Sequence, residues 1–275
     1  MHNGLIFTPF QRFYFSMNYA ICTVAAAPLR REPSHRSEMT SQLLFGDRID
    51  VLEAQAEWFR IRCLYDNYEG WTTNHLIAPL DAAAVTAPTN FVTTGLINQI
   101  KHAGTLFQIP MGCSLTGYME RTHQLWDKGY TYNDTCRNIQ LPFTNELFQN
   151  LIQPWLNAPY LWGGKTLMGV DCSGFVQTIF KVLGVPLLRD AYQQATQGMS
   201  VALEAAQEGD VAFFHNETGK ITHVGIVLKN NKIIHASGTL RVDQLTKEGI
   251  VTTDGNRQTH HLHSIRRMAD FPTAS

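Results

Sequence analysis

From about residue 140 onward the apolar positions follow two different rhythms. Leu147, Phe148, Leu151, Ile152 and Trp155 recur at helical spacing within Thr144 to Leu156, which predicts a helix with one buried face. After the Gly163-Gly164 turn, the run from Cys172 to Leu183 carries Phe175, Val176, Ile179, Phe180, Val182 and Leu183. Gly184 and Pro186 close that run, as expected just past a helix C-terminus. Strand-length segments follow at Asp210–Phe214, Ile221–Leu228 and Lys232–Ala236. Helices first and an antiparallel sheet after them make residues 140–275 an α+β domain.

The first half has a shorter beat. Residues 17–80 read as short strands, among them Ile49 to Leu52 and Trp58 to Arg62, with turns at Gly46-Asp47 and Asn67 to Gly70. Such closely spaced strands predict a small barrel. Residues 81–90 are small, polar and proline-containing, the texture of a linker. Residues 91–139 return to short strands, including Leu106 to Pro110 and Gly129 to Tyr132, and predict a second small barrel. Phe13 to Ala27 is apolar enough to raise a signal peptide ending at Ala25-Ala26-Ala27. Ser16, Asn18 and Thr23 interrupt it, and Tyr19 to Ala25 reads better as an opening strand, with Met17 as an alternative start.

Composition narrows the classes of function. A chain of 275 residues with net charge −1 offers no basic stripe for nucleic acid or anionic lipid. No stretch of about 18 apolar residues is present, so no membrane span is expected. The five cysteines are scattered, odd in number and free of C-x-x-C spacing, which suits a reducing compartment better than a disulfide framework.

Chemistry concentrates in the C-terminal half. Cys172 sits in Asp171-Cys172-Ser173-Gly174, directly at the start of the second helix. A thiol there faces unpaired N–H groups and the positive end of the helix dipole, so its pKa is expected to fall below about 8.5. The same N–H groups suit the oxyanion of a tetrahedral intermediate. Cys22, Cys63, Cys113 and Cys136 lack such a setting and read as buried structural residues. His223, in Thr222-His223-Val224-Gly225, and His235, in Ile234-His235-Ala236-Ser237, lie mid-strand among apolar neighbours. Cysteine, histidine and a third polar group match nucleophile, base and orienter.

Register decides whether the histidines can meet. A two-residue turn at Asn230-Asn231 pairs Ile226 with His235 and sends His223 to the other face. A three-residue connection over 229–231 pairs Gly225 with His235 and leaves the two histidines as diagonal neighbours, roughly 7–8 Å apart. The catalytic reading requires the second arrangement.

Five ordered segments now stand out: Tyr160-Leu-Trp-Gly-Gly164, Asp171-Cys-Ser-Gly-Phe175, Gly209-Asp-Val-Ala-Phe-Phe214, Thr222-His-Val-Gly225 and Ile234-His-Ala-Ser237. Together they resemble the NlpC/P60 family of cysteine peptidases. The resemblance implies a papain-like α+β catalytic domain over 140–275, with Cys172 as nucleophile, His223 as base, His235 as orienting group and Tyr160 as the active-site tyrosine. Residues 17–80 look like a bacterial SH3 domain, and residues 81–139 like a second one. The layout is similar to γ-D-glutamyl-diamino-acid endopeptidases that recycle murein peptides and require a free N-terminal L-alanine. It implies a murein tripeptide or tetrapeptide as substrate and a cytoplasmic setting, with a secreted or periplasmic hydrolase remodelling intact wall, or a non-catalytic wall-fragment-binding protein, as the alternatives. Tyr68 and Glu38 match the groups that hold the substrate ammonium, while Asp171, Ser173 and Asp190 are further substrate contacts. Ala191 stands where a serine is often found. No cofactor is expected. His260-His261-x-His263 lacks a completing carboxylate or cysteine, so no metal is expected either.

Overall fold

A computed structural model of the chain describes residues 18–255 and 257–271. The alternative start at Met17 and the segment before it lie outside the described residues. Seven strands form the first antiparallel sheet, in the order Met39–Leu44, Ala26–Arg30, Glu69–Thr73, Trp58–Cys63, Arg48–Gln55, Tyr19–Cys22 and Ile77–Pro79. Alternation along these strands sends Ala20, Cys22, Leu29, Ile49, Phe59 and Ile61 into one core. Tyr19–Cys22 lies between two partners in that sheet.

The expected linker holds a short helix, Ala82–Val85, because the Asp81 carboxylate accepts the Ala84 N–H at 2.7 Å. Beyond it, Ile97–His102 pairs with Thr105–Pro110 and Tyr130–Tyr132, and Phe91–Thr93 pairs separately with Cys136–Asn138. The core of this region is completed from outside. Leu44 and Phe45 of the preceding sheet enter it, and Phe45 packs against Phe107, Trp126 and Tyr130.

In the C-terminal domain the helix Asn145–Ile152 is capped by Thr144 and continues as a 3-10 turn, Gln153–Trp155. The helix Cys172–Leu183 is buried along its whole length and ends at Gly184. It lies on a sheet that the sequence pattern showed only in part. To the strands Val211–His215, Ile221–Leu228 and Lys232–Ser237 the structure adds Met199–Val201, Thr239–Leu245, Gly249–Val251 and Gln258–Arg267. Because Gly249–Val251 pairs with Gln258–Arg267 as well as with Thr239–Leu245, the sheet closes on itself. Ala212, Phe214, Val227, Ile233 and Ile250 fill one face. Val211, Phe213, Val224, Ile226 and Ile234 turn the other face to the helices. Among the described residues no helix is long and apolar enough to cross a membrane.

Buried polar bonds tie the first sheet to the catalytic helix. Lys181 Nζ meets Asp47 Oδ1 at 2.8 Å, Gln177 Nε2 donates to Asp66 Oδ2 at 2.9 Å, and Asp47 Oδ1 also accepts the Ser114 hydroxyl at 3.0 Å. Paired this way, the Lys181 and Asp47 charges hold three parts of the chain in one arrangement.

Candidate active site

The hairpin between Ile221–Leu228 and Lys232–Ser237 uses the three-residue connection. Leu228 pairs with Lys232 and Gly225 with His235, and Asn230 and Asn231 adopt positive φ. Gly225 is required by what lies opposite: a Cβ there meets His235 Cβ at 2.9 Å and Ile233 Cδ1 at 2.8 Å. The room it leaves lets the two imidazoles converge, with His223 Nε2 and His235 Nδ1 2.8 Å apart.

The next partner is one the sequence reading missed. His235 Nε2 lies 3.0 Å from Asp243 Oδ2, and both residues are buried. Asp243 Oδ1 also accepts the Thr253 N–H at 3.0 Å, the Thr253 hydroxyl at 2.9 Å and an Arg241 N–H at 3.0 Å. Burial opposes the charge, but the Thr253 amide, His235 and Arg241 outweigh it and hold this carboxyl at about 2.

An anion at Asp243 fixes every proton along the chain. It accepts from His235 Nε2–H, so His235 Nδ1 carries a lone pair. That lone pair accepts from His223 Nε2–H, which leaves His223 Nδ1 unprotonated. His223 is thereby a base with its tautomer set by two buried partners.

Cys172 is buried at the first turn of its helix, which packs on the strand carrying His223. The thiol is met by the backbone amide of Val224, the residue after His223, and by that of Ser173. The expected depression of its pKa is not what this setting produces. Burial and then the Asp171 carboxylate push the thiol up to about 12, ahead of the opposing effects of the Val224 amide, Arg189 and the Ser173 amide. His223 is held well below its ordinary value by burial, then by His260 and His235. Taken separately, burial pushes Cys172 towards its thiol form and His223 towards the neutral imidazole.

Asp171 opposes a thiolate at this helix start. As helix cap it accepts the Gly174 N–H at 2.6 Å, consuming one of the donors that the dipole argument relies on. Gly174 cannot be larger, since a Cβ there lies 2.3 Å from Gly164 O. Asp171 also accepts from Gly163 N–H at 2.8 Å and takes a two-point ion pair from buried Arg189, at 3.0 and 2.6 Å. Arg189 reaches on to Ser41 of the first sheet at 2.9 Å and to the Ser173 hydroxyl at 2.9 Å. Asp171 borders the cavity, yet its oxygens are engaged; it is a positioning group rather than the free substrate contact expected. The Ser173 hydroxyl is similarly held, donating to Asp171 Oδ1 at 3.3 Å.

Beside Cys172 opens a cavity of about 370 Å³, walled by both halves of the chain. Glu38, Thr40 and Tyr68 come from the first sheet and its loop; Trp162, Asp190 and Tyr192 come from the catalytic domain. Glu38 therefore reaches the site: its Oε1 accepts Trp162 Nε1–H at 2.7 Å and its Oε2 pairs with Arg31 at 2.7 Å. Burial raises both the Tyr68 hydroxyl and the Asp190 carboxyl, and Tyr68 is raised further by Asp190. Ala191 also lines the cavity. Tyr160 packs half-buried against the catalytic core, its hydroxyl raised chiefly by burial, with Cys172 and Asp171 adding to the rise.

His260 comes to the same place by strand alternation, facing inward while His261 and His263 lie against His215 on the other side. It stacks on His223, centroids 4.1 Å apart and planes 23° apart, and its ligand atom lies within 4.8 Å of those of His223 and His235. Two stacked rings aim their in-plane lone pairs nearly parallel, so one ion meets both only if the stack opens. The trio is a hydrogen-bonded pair with a neutral ring laid over it.

A buried thiol at a helix N-terminus, an imidazole of fixed tautomer and a carboxylate behind it define a cysteine peptidase. The comparisons agree: residues 157–259 match the NlpC/P60 family, and residues 29–75 match the bacterial dipeptidyl-peptidase Sh3 domain. The chain is similar to the γ-D-glutamyl-L-lysine dipeptidyl-peptidase of Bacillus subtilis, 30% identical over 217 residues, 72% of each chain. It is also similar to the murein DD-endopeptidase MepS/murein LD-carboxypeptidase of Escherichia coli, 38% identical over 104 residues, 37% of this chain and 50% of that protein. A crystal structure of an NlpC/P60 family protein from Bacillus cereus has the same fold, with TM-score 0.76 and 19% identity over 91% of this chain and 99% of that one. The chain belongs to the NlpC/P60 family of cysteine peptidases.

Proposed function

We propose that the protein is a γ-D-glutamyl-diamino-acid endopeptidase that cuts short murein peptides bearing a free N-terminal L-alanine. The observation that carries the reading is the cavity shared by the two halves. Carboxylates of Glu38 and Asp190 and the hydroxyl of Tyr68 gather there with Cys172 in the same wall. Such a set suits an ammonium group held a short peptide's length from the nucleophile. The name of the Bacillus subtilis relative fits the same chemistry.

In this reading Cys172 attacks the γ-carbonyl as its proton passes to His223 Nδ1. The imidazolium formed is stabilised through His235 by Asp243. The first-turn N–H group of Cys172 has no intrahelical acceptor and suits the oxyanion. His223 then protonates the leaving amine, and water, deprotonated by the same base, releases the acyl group. A requirement for a free amine spares intact wall and suits scavenging of peptides in the cytoplasm.

The test compares L-Ala-γ-D-Glu-diaminopimelate with its N-acetylated form. Acetylation removes the charge that half-buried Asp190 would meet, so kcat/KM should fall by about tenfold or more. Equal turnover of both peptides overturns the reading.

A further inference from the structure

The charges that wall the cavity sort into pairs with two left over. Arg31 is committed to Glu38 at 2.7 Å, and Asp171 to buried Arg189 at 2.6 Å. Asp190 and Lys220 remain, and among the described residues Lys220 has no acidic partner. The Lys220 backbone is held in place: Asn216 Oδ1 accepts its N–H at 3.0 Å, and Asn216 N–H donates to its carbonyl at 2.9 Å. That turn feeds the strand Ile221–Leu228, which carries the base. One carboxylate held by Tyr192 and its own helix cap, with no ion-pair partner, and one unpaired cation thus face a single cavity.

A γ-linked glutamyl peptide presents the same two charges. Its N-terminal ammonium is one; the α-carboxylate left free by γ-linkage is the other, a short aliphatic spacer from the scissile carbonyl. Ala191 offers that anion no donor and the Ser173 hydroxyl already donates to Asp171, while the hydroxyls of Thr222 and Tyr192 in the same wall carry no charge to balance it. With Glu38 and Asp171 balanced by their arginines, Asp190 still repels a carboxylate that brings no counterion. We infer that Lys220 is a specificity residue that pairs with the free α-carboxylate of the glutamyl unit, an inference that rests on the γ-D-glutamyl reading above.

The α-amide of the same peptide, an isoglutaminyl unit, keeps the shape and removes the charge. Four kcat/KM values decide the matter: wild type and Lys220→Met, each on L-Ala-γ-D-Glu-diaminopimelate and on its α-amidated form. Wild type should prefer the acid by about tenfold, the scale of one partly exposed charged hydrogen bond. Lys220→Met should lose most of that on the acid, mainly through KM, and far less on the amide, so the ratio approaches one. Lys220→Arg should recover the preference, and added salt should shrink it in wild type. Equal handling of acid and amide by wild type, or an equal loss on both in Lys220→Met, overturns the role of Lys220 alone. If wild type cuts neither peptide yet cleaves another wall-peptide bond, the γ-D-glutamyl reading itself fails.

Discussion

Replacing Asp243 by asparagine is the most informative perturbation of the catalytic chain, because it changes protons while keeping shape. The carboxylate only accepts; an amide turned toward His235 can donate. If it donates to Nε2, the His235 proton moves to Nδ1 and the His223 proton moves to its own Nδ1, where the base lone pair is needed. Restoring the productive tautomer then sets two buried donors against each other, costing about 2–4 kcal/mol at 1–2 per unsatisfied group. That corresponds to roughly a 30- to 1000-fold fall in kcat, with KM little changed. The assay is steady-state cleavage of L-Ala-γ-D-Glu-diaminopimelate by protein whose fold is checked by circular dichroism. A kcat within threefold of wild type would show that Asp243 does not set the tautomer.

Other consequences follow from burial and charge. Because burial and Asp171 raise the Cys172 thiol to about 12, iodoacetamide labelling of the free enzyme should keep accelerating with pH beyond 9; a plateau below pH 7 would reveal a resting thiolate. Arg189→Met strands buried Asp171 and should cost about 3–5 kcal/mol in urea unfolding, whereas a loss under 1 kcal/mol would mean the pair contributes little. His260, held at about 4 by burial and His235, binds more protons unfolded than folded between pH 4 and its ordinary 6.5. Its stability contribution is therefore full above that window and lost as pH falls through it, so His260→Phe should flatten the decline of unfolding free energy between pH 7 and 5, leaving a residual slope from His223 and His235. An unchanged slope would deny His260 that role.

Much of the catalytic domain could be read directly from the chain. The helix Cys172–Leu183 follows from its apolar spacing and from Gly184, whereas the Gly225–His235 pairing is one of two registers the Asn230-Asn231 connection allows, the one the catalytic reading requires and the structure adopts. Asp243 was not legible. It lies diagonally from His235 on a strand whose register depends on how Ser237 and Thr239 turn the chain, and nothing local marks it. Its one signal is an acid placed two residues before Leu245, on the face that Leu245 buries. The closing strand Gln258–Arg267 was hidden by polar composition, since its outward face is exposed and its inward face carries His260. The thiol's raised pKa was missed for a different reason: position on a helix is visible in sequence, whereas burial and the capping carboxylate beside the sulfur belong to the fold.

In the proposed reaction the Cys172 sulfur takes the acyl group. Acid quench during turnover of L-Ala-γ-D-Glu-diaminopimelate, followed by peptide mass analysis, should find an L-Ala-γ-D-Glu thioester on Cys172 in wild type and none in Cys172→Ala, which should also be inert. Turnover surviving in Cys172→Ala, or an acyl group on any other residue, would contradict it.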